Sequence, residues 1–159
     1  MPVLWSALTG GVIGTLVLSA MTSTASEIGL TRMDLPFLLG TTVTANRRRA
    51  KAIGYLLHFL LGIGFALAYG AGFLAIGKSG WWIGALLGAL HAVFVSTVLV
   101  NELLPAVHPR MATPDTAAND IALIEPPGFL MRNYGRNTFL VVLAAHVAYG
   151  AILGAITRI

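Results

Sequence analysis

Three histidines, His58, His91 and His146, stand inside long apolar stretches, where imidazole is the one side chain able to carry a proton or to ligate a metal or a haem iron. An ionisable group in hydrocarbon is costly, and it faces a cavity, a partner or a ligand. Kept neutral, each ring can donate its N–H to a carbonyl or hydroxyl on the next helix, and Thr15, Ser19, Ser96 and Thr97 are available for this. Three sharper chemistries compete with that packing role. His58 and His146, opposed at equal depth on two helices, are what bis-imidazole ligation of a b-type haem needs, with Gly62 and Gly150 one turn away to admit the porphyrin. All three histidines together would suit zinc, copper or iron, although none has a second ligand at i+3 or i+4 in its own helix. A proton or ion path would want an acidic partner within the membrane, and Glu27 and Glu102 lie only at helix ends. The expectation is that no cofactor is held, with haem b as the alternative.

The polar connections offer a second set, Glu27, Asp34, Glu102 and His108, with Met111 and Asp115 nearby in sequence. They would form a metal or substrate site if the loops converge, and are solvated side chains if they do not. Absence of cysteine removes disulfides, thiolate metal sites, iron-sulfur clusters and cysteine nucleophiles together. No phosphate-binding loop, serine nucleophile elbow or zinc-protease motif occurs, so no catalytic residue is nominated and a non-enzymatic role is expected.

The elements that would position these groups follow from composition. Of 159 residues 57% are hydrophobic and only 10% charged, with a mean hydropathy of +0.82. At about 20 apolar residues per crossing, this is an all-α integral membrane protein, one domain over residues 1–159, built as a four-transmembrane-helix bundle. Helices are predicted at about residues 3–21, 53–76, 81–101 and 138–157, with long polar loops at 22–52 and 102–137. The tight turn at 77–80 makes the second and third helices an antiparallel hairpin, and a short interfacial helix is expected within 35–43. The first basic residue is Arg32, so a positive leader region is missing and the first helix reads as retained.

Small residues recur at every fourth position. Gly10 and Gly14 mark the first helix; Gly54, Gly62 and Gly70, with His58 and Ala66, the second; Gly84 and Gly88 the third; Gly150 and Gly154 the fourth. Such stripes let backbones approach until dispersion holds the helices together.

Eight of the ten Lys and Arg residues fall in the two long loops, which leaves Lys78 and Arg158 on the other side. The positive-inside rule then places both loops in the cytoplasm and both termini outside. The net charge of +4 therefore reads as a topology signal, with no nucleic-acid partner. Arg47, Arg48, Arg49 and Lys51 set topology first and attract anionic headgroups second, at about 1 kcal/mol per charge. After the turn Pro126-Pro127-Gly128, Phe129-Leu130-Met131 is expected to lie as an apolar patch on the interface or a partner.

The two halves look like copies of one hairpin. Gly10-x3-Gly14 matches Gly84-x3-Gly88, and His58-x3-Gly62 matches His146-x3-Gly150, which would relate the halves by an axis along the membrane normal. At 1.5 Å per residue, His58 and His146 would lie roughly 8–12 Å below the cytoplasmic surface. A Gly-rich first helix, Met33-Asp34 with Leu39-Gly40, His58-x3-Gly62 with Ala68-Tyr69, His108-Pro109, and His146-x2-Tyr149-Gly150-x3-Gly154 together resemble a broad group of uncharacterised small bacterial four-helix inner-membrane proteins. That resemblance implies the fold and a multi-pass location in the bacterial inner membrane, and no activity.

The functional expectation is an accessory or assembly subunit, a homo-oligomer or part of a larger membrane complex, surrounded by lipid and joined through small-residue helix faces. The alternatives are a dimeric small-solute or ion transporter with a histidine-lined path, and a haem or quinone electron carrier. The transporter predicts a water-accessible cavity around the three histidines.

Overall fold

The computed structural model describes residues 2–112 and 124–159, so Asp115 lies outside the described residues. The fold is all-α. Helix α1 (Pro2–Glu27) begins on Pro2, whose missing N–H is no loss in a first turn. It runs six residues beyond the predicted end at 21. The Thr22 hydroxyl bonds back to Leu18 O at 3.0 Å, so a polar sequence continues the helix without stranding its hydroxyl. Gly29, at φ +76°, then ends it in the left-handed conformation, with Leu30 N–H donating to Ala25 O.

Helix α2 (Leu35–Gly40) is the short helix expected within 35–43, three residues shorter. Asp34 caps it by accepting from Phe37 N–H at 3.0 Å. Helix α3 (Arg47–Ile76) starts six residues before the predicted boundary, because Asn46 caps it by accepting from Arg49 N–H. Arg47, Arg48, Arg49 and Lys51 thus lie in the first two turns of the helix rather than in a loop. Gly77, at φ +65°, closes α3.

Helix α4 (Trp81–Phe94) passes without a break into a π-helical segment (Val95–Leu103) and then α5 (Leu104–Val107), so the third apolar rod spans Trp81–Val107 and outruns the predicted end at 101. The widened turns lie just before Pro105, which has no N–H to return to Asn101 O. A 3-10 turn at Phe129–Tyr134 leads to α6 (Thr138–Ile156). The expected apolar patch there divides: Phe129 is exposed, whereas Met131 is buried in the core. Four helices are therefore long and apolar enough to cross a membrane. Trp5, Trp81 and Trp82 sit exposed at the end that carries the described N-terminus, where indole suits an interface.

Packing order departs from chain order. Helix α1 packs on α3, α4 packs on α6, and the halves join along α1 and α6, while α2 lies across the start of α3. Helices α3 and α4, joined by residues 77–80, scarcely approach one another, so the expected hairpin is antiparallel in connection but not in packing. The reason lies on α4. A Cβ placed on Gly84 would collide with Gly150 O, and one on Gly88 with His146 O. On the other helix, Gly150 lies against Gly84 O and Gly154 against Gly80 O. Here α4 and α6 are backbone against backbone, closer than either comes to any other helix that carries side chains.

The remaining stripe glycines have other neighbours. Gly10 and Gly14 face Leu153 and Tyr149 of α6, Gly62 faces Thr15 of α1, and Gly70 faces Ala7 of α1. Gly54 meets Pro36 O of α2 rather than another membrane helix. In the repeat scheme Gly10 and Gly14 would face the partner in their own half, α3, as Gly84 and Gly88 face α6. They face α6 instead, and it is Gly11 that meets α3 at Ala66. The match between His58-x3-Gly62 and His146-x3-Gly150 does carry over, since each glycine meets the other helix of its own half.

Adding one methyl group at Gly88 forces α4 off α6, and overpacking of this kind costs about 1–3 kcal/mol. Gly64, with nothing within 4 Å of a built Cβ, should instead gain up to about 1 kcal/mol from alanine through lower backbone entropy. Thermal unfolding in lipid nanodiscs should show Gly88→Ala clearly below the parent and Gly64→Ala at or above it; equal melting temperatures for the two variants would contradict the close α4–α6 contact.

Candidate functional site

Because α4 leans onto α6 and away from α3, a cavity of about 230 Å³ remains between them. All three intramembrane histidines line it, brought together from three helices. Apart from Thr15 and Tyr149 its wall is otherwise apolar, built from Leu18, Leu35, Leu39, Phe65, Val95 and Leu99 among others, and among the described residues none that lines it carries a formal charge. Its lining includes Leu61, Leu103 and Val107, all exposed, and reaches Leu35 and Leu39 of α2 at the loop-side end. The π-helical segment supplies Val95, Leu99, Val100 and Leu103 to one side.

Each ring is held differently. His146 Nδ1 lies 2.8 Å from Val142 O, a carbonyl that can only accept, so the proton is on Nδ1 and Nε2 keeps a free lone pair. His58 Nδ1 lies 3.2 Å from Ser19 Oγ. That hydroxyl has no other acceptor among the described residues, so it donates to Nδ1, and His58 carries its proton on Nε2. By the same reasoning the Tyr69 hydroxyl, 3.4 Å from His91 Nδ1, donates to it. His91 Nε2 is buried with no partner among the described residues. Neither His58 Nε2 nor His146 Nε2 is buried without a partner in this way, and both residues line the cavity.

Aromatic contacts complete the floor. The His91 ring stands edge to face with His146 at 4.8 Å between centroids and lies 4.1 Å from Phe65. Phe65 and Tyr69 are thus the long side chains through which α3 reaches α4. Tyr149, almost fully buried, donates from its hydroxyl to Gly62 O at 2.5 Å and meets Tyr69 edge-on at 5.8 Å. Gly88 sets the pairing of the two rings, because only without a side chain there can the α6 backbone at His146 lie directly on α4, one turn from His91.

Among the hydroxyls expected to serve the histidines, only Ser19 does so. Thr15 and Thr97 bond back to Gly11 O and Val93 O in their own helices, and Ser96 Oγ is buried without a partner among the described residues. Sequence reasoning missed Tyr69 and Tyr149 as members of the site. Their spacing carried a signal, since Tyr149 follows His146 by three residues and so shares its face.

The loop candidates do not converge. Among the described residues no three groups of His, Asp or Glu come close enough to hold a metal ion. Asp34 caps α2 and pairs with Lys51 at 3.2 Å, while Glu27 shares with them a small polar recess of about 90 Å³ beside Tyr55. Glu102 is exposed and bonded to the neighbouring Asn101. His108 is buried as a strut, with Nε2 against Leu38 O and Thr41 Oγ1, both at 3.2 Å, and Nδ1 accepting from Arg110 N–H. The Arg110 guanidinium donates to Thr41 O at 2.6 Å. This strut holds α2, and with it Leu35 and Leu39, against the mouth of the cavity.

No protein-family model, curated protein or solved structure matches the chain. The molecule is a small multi-pass membrane protein by its own four apolar helices.

Burial holds the His108 imidazole below its ordinary 6.5, against a smaller opposing pull from the Leu38 carbonyl. The folded state therefore binds fewer protons than the unfolded chain just beneath pH 6.5, and stability contributed by neutral His108 is lost as pH falls through that window. The melting temperature of the parent should drop more on acidification from about pH 7 to about pH 5 than that of His108→Gln, whose amide keeps a donor for Leu38 O. Parallel curves would show that the strut does not titrate there.

Proposed function

We propose that this protein binds a lipid-soluble small molecule in the cavity between α3 and α4. The observation that carries the reading is a largely apolar space lined by three imidazole rings, with exposed Leu61, Leu103 and Val107 at its edge. Ligand sites are characteristically apolar clefts with a few convergent polar groups. A cavity of about 150 Å³ lined by aliphatic and aromatic side chains accommodates benzene, so this one suits a one-ring headgroup with an attached tail. A porphyrin between His58 and His146 would have to displace the contact between His146 and His91. A transporter path of water would run along walls that are leucine and valine over most of their area.

The accessory-subunit reading is the second proposal. Most stripe glycines face inward, but Gly64 and Gly72, on one face of α3 with exposed Ala68 between them, have nothing within 4 Å of an added Cβ among the described residues. A partner helix or a second copy would fit there. By the positive-inside rule both long loops would face the cytoplasm with both termini outside, and the bacterial inner membrane is the location that the resemblance implies.

Protein purified from native membrane in mild detergent, then extracted with organic solvent and examined by mass spectrometry, should release a non-phospholipid amphiphile in near-stoichiometric amount. Leu99→Trp, which fills the cavity, should lose it at least about tenfold. Equal recovery from both would mark the molecule as bulk carry-over and overturn the ligand reading. The same preparation tests the second proposal, since isolation as a lone protomer contradicts a subunit role.

A further inference from the structure

The hydrogen-bonding state of the two open nitrogens says what the occupant presents to them. His146 Nδ1–H is committed to Val142 O, so its Nε2 meets the cavity as an acceptor. The Ser19 hydroxyl occupies His58 Nδ1, so its Nε2–H meets the same cavity as a donor. Both settings are fixed by protein partners and neither can be reversed without leaving a buried group unpaired. The remaining polar atoms on the floor are already used: the Tyr149 hydroxyl donates to Gly62 O, and Thr15 Oγ1 donates to Gly11 O. A ligand with a charged head would find no counter-charge among the described residues of the wall, and burying an unpaired charge is prohibitive.

Resting on the ligand-binding reading above, we infer that the cavity takes a neutral one-ring quinol in preference to its quinone, with His58 Nε2–H donating to a ring oxygen and His146 Nε2 accepting a ring hydroxyl. A quinone offers two acceptors and no donor. Its oxygens satisfy His58 and leave the His146 lone pair facing a lone pair. A quinol offers a donor and an acceptor at each oxygen and meets both histidines at once. The tail leaves past Leu61 and Leu103, the exposed apolar residues at the cavity's edge. Selective binding of the reduced form needs no electron transfer by this protein and requires only that the surrounding membrane contain the couple.

Three labelled probes of equal tail length separate the possibilities: 2-decyl-1,4-hydroquinone, the corresponding 1,4-benzoquinone, and 2-decyl-1,4-dimethoxybenzene. Each is titrated anaerobically against the protein in phosphatidylcholine nanodiscs, with empty nanodiscs as the blank. The hydroquinone is expected to bind about tenfold more tightly than either of the others, the effect of one additional well-placed hydrogen bond. His146→Phe should bring hydroquinone and quinone within about twofold of each other, while unchanged binding of the dimethoxy probe reports that the cavity is still formed. Equal affinity of hydroquinone and quinone for the parent, or a preference that survives His146→Phe, would overturn the quinol assignment and leave the cavity reading intact. If none of the three probes binds above the blank, the ligand-binding reading itself falls, and this inference with it.

Discussion

The close approach of α4 to α6 is the contact on which the rest of the molecule depends. In a bilayer there is no hydrophobic force between helices, so the pair is held by dispersion and works only at short range. Gly84, Gly88, Gly150 and Gly154 allow that range, each lying where a Cβ would enter the opposite backbone. The attachment of α4 to α6 decides the neighbour of α3 by default. Residues 77–80 keep the ends of α3 and α4 together, but the rods diverge, with Phe65 and Tyr69 reaching across to His91. The cavity is what remains of the contact those two helices do not make.

Most polar groups within the apolar zone are matched to a near neighbour in their neutral form, Ser96 Oγ and His91 Nε2 being exceptions among the described residues. Thr15, Thr22 and Thr97 return their hydroxyls to carbonyls one turn back. His58 takes the Ser19 hydroxyl, His91 takes the Tyr69 hydroxyl, and His146 uses its own helix. Charges stay at the ends, where Asp34 pairs with Lys51 and Arg32 with Glu125, both at exposed positions where a pair contributes about 0–1 kcal/mol. These pairs fix loops more than they stabilise the bundle. Arg32 also donates through its backbone to Tyr134 O, and Thr31 meets Thr138 at 2.7 Å in a buried hydroxyl pair, which ties the α1–α2 connection to the start of α6.

Much of this could be read from residue types because the solvent is so restrictive. Twenty apolar residues without a charge have one solution in a bilayer, and the four rods follow. The three histidines stood out for the same reason. What could not be read is which face of each glycine stripe meets which helix, since spacing fixes a face but not its partner: Gly54 found α2, and Gly10 and Gly14 found α6. The divergence of α3 from α4 was hidden because a short turn suggests a packed hairpin, and the stronger attraction lay far along the chain, between Gly84 and Gly150. Helix ends were missed where a side chain overrode composition, as with Thr22 prolonging α1 and Asn46 starting α3 early. The π-helical rod was invisible because its apolar run looks the same at 3.6 residues per turn.

The most direct test of the account is a density map of the protein in a lipid bilayer, at a resolution that shows side chains. It should show the α4 and α6 backbones in contact at Gly84 and Gly150, and a gap between α3 and α4 floored by His58, His91 and His146. A map with α4 packed along α3, the gap closed by side chains and the four glycines turned toward lipid would contradict it.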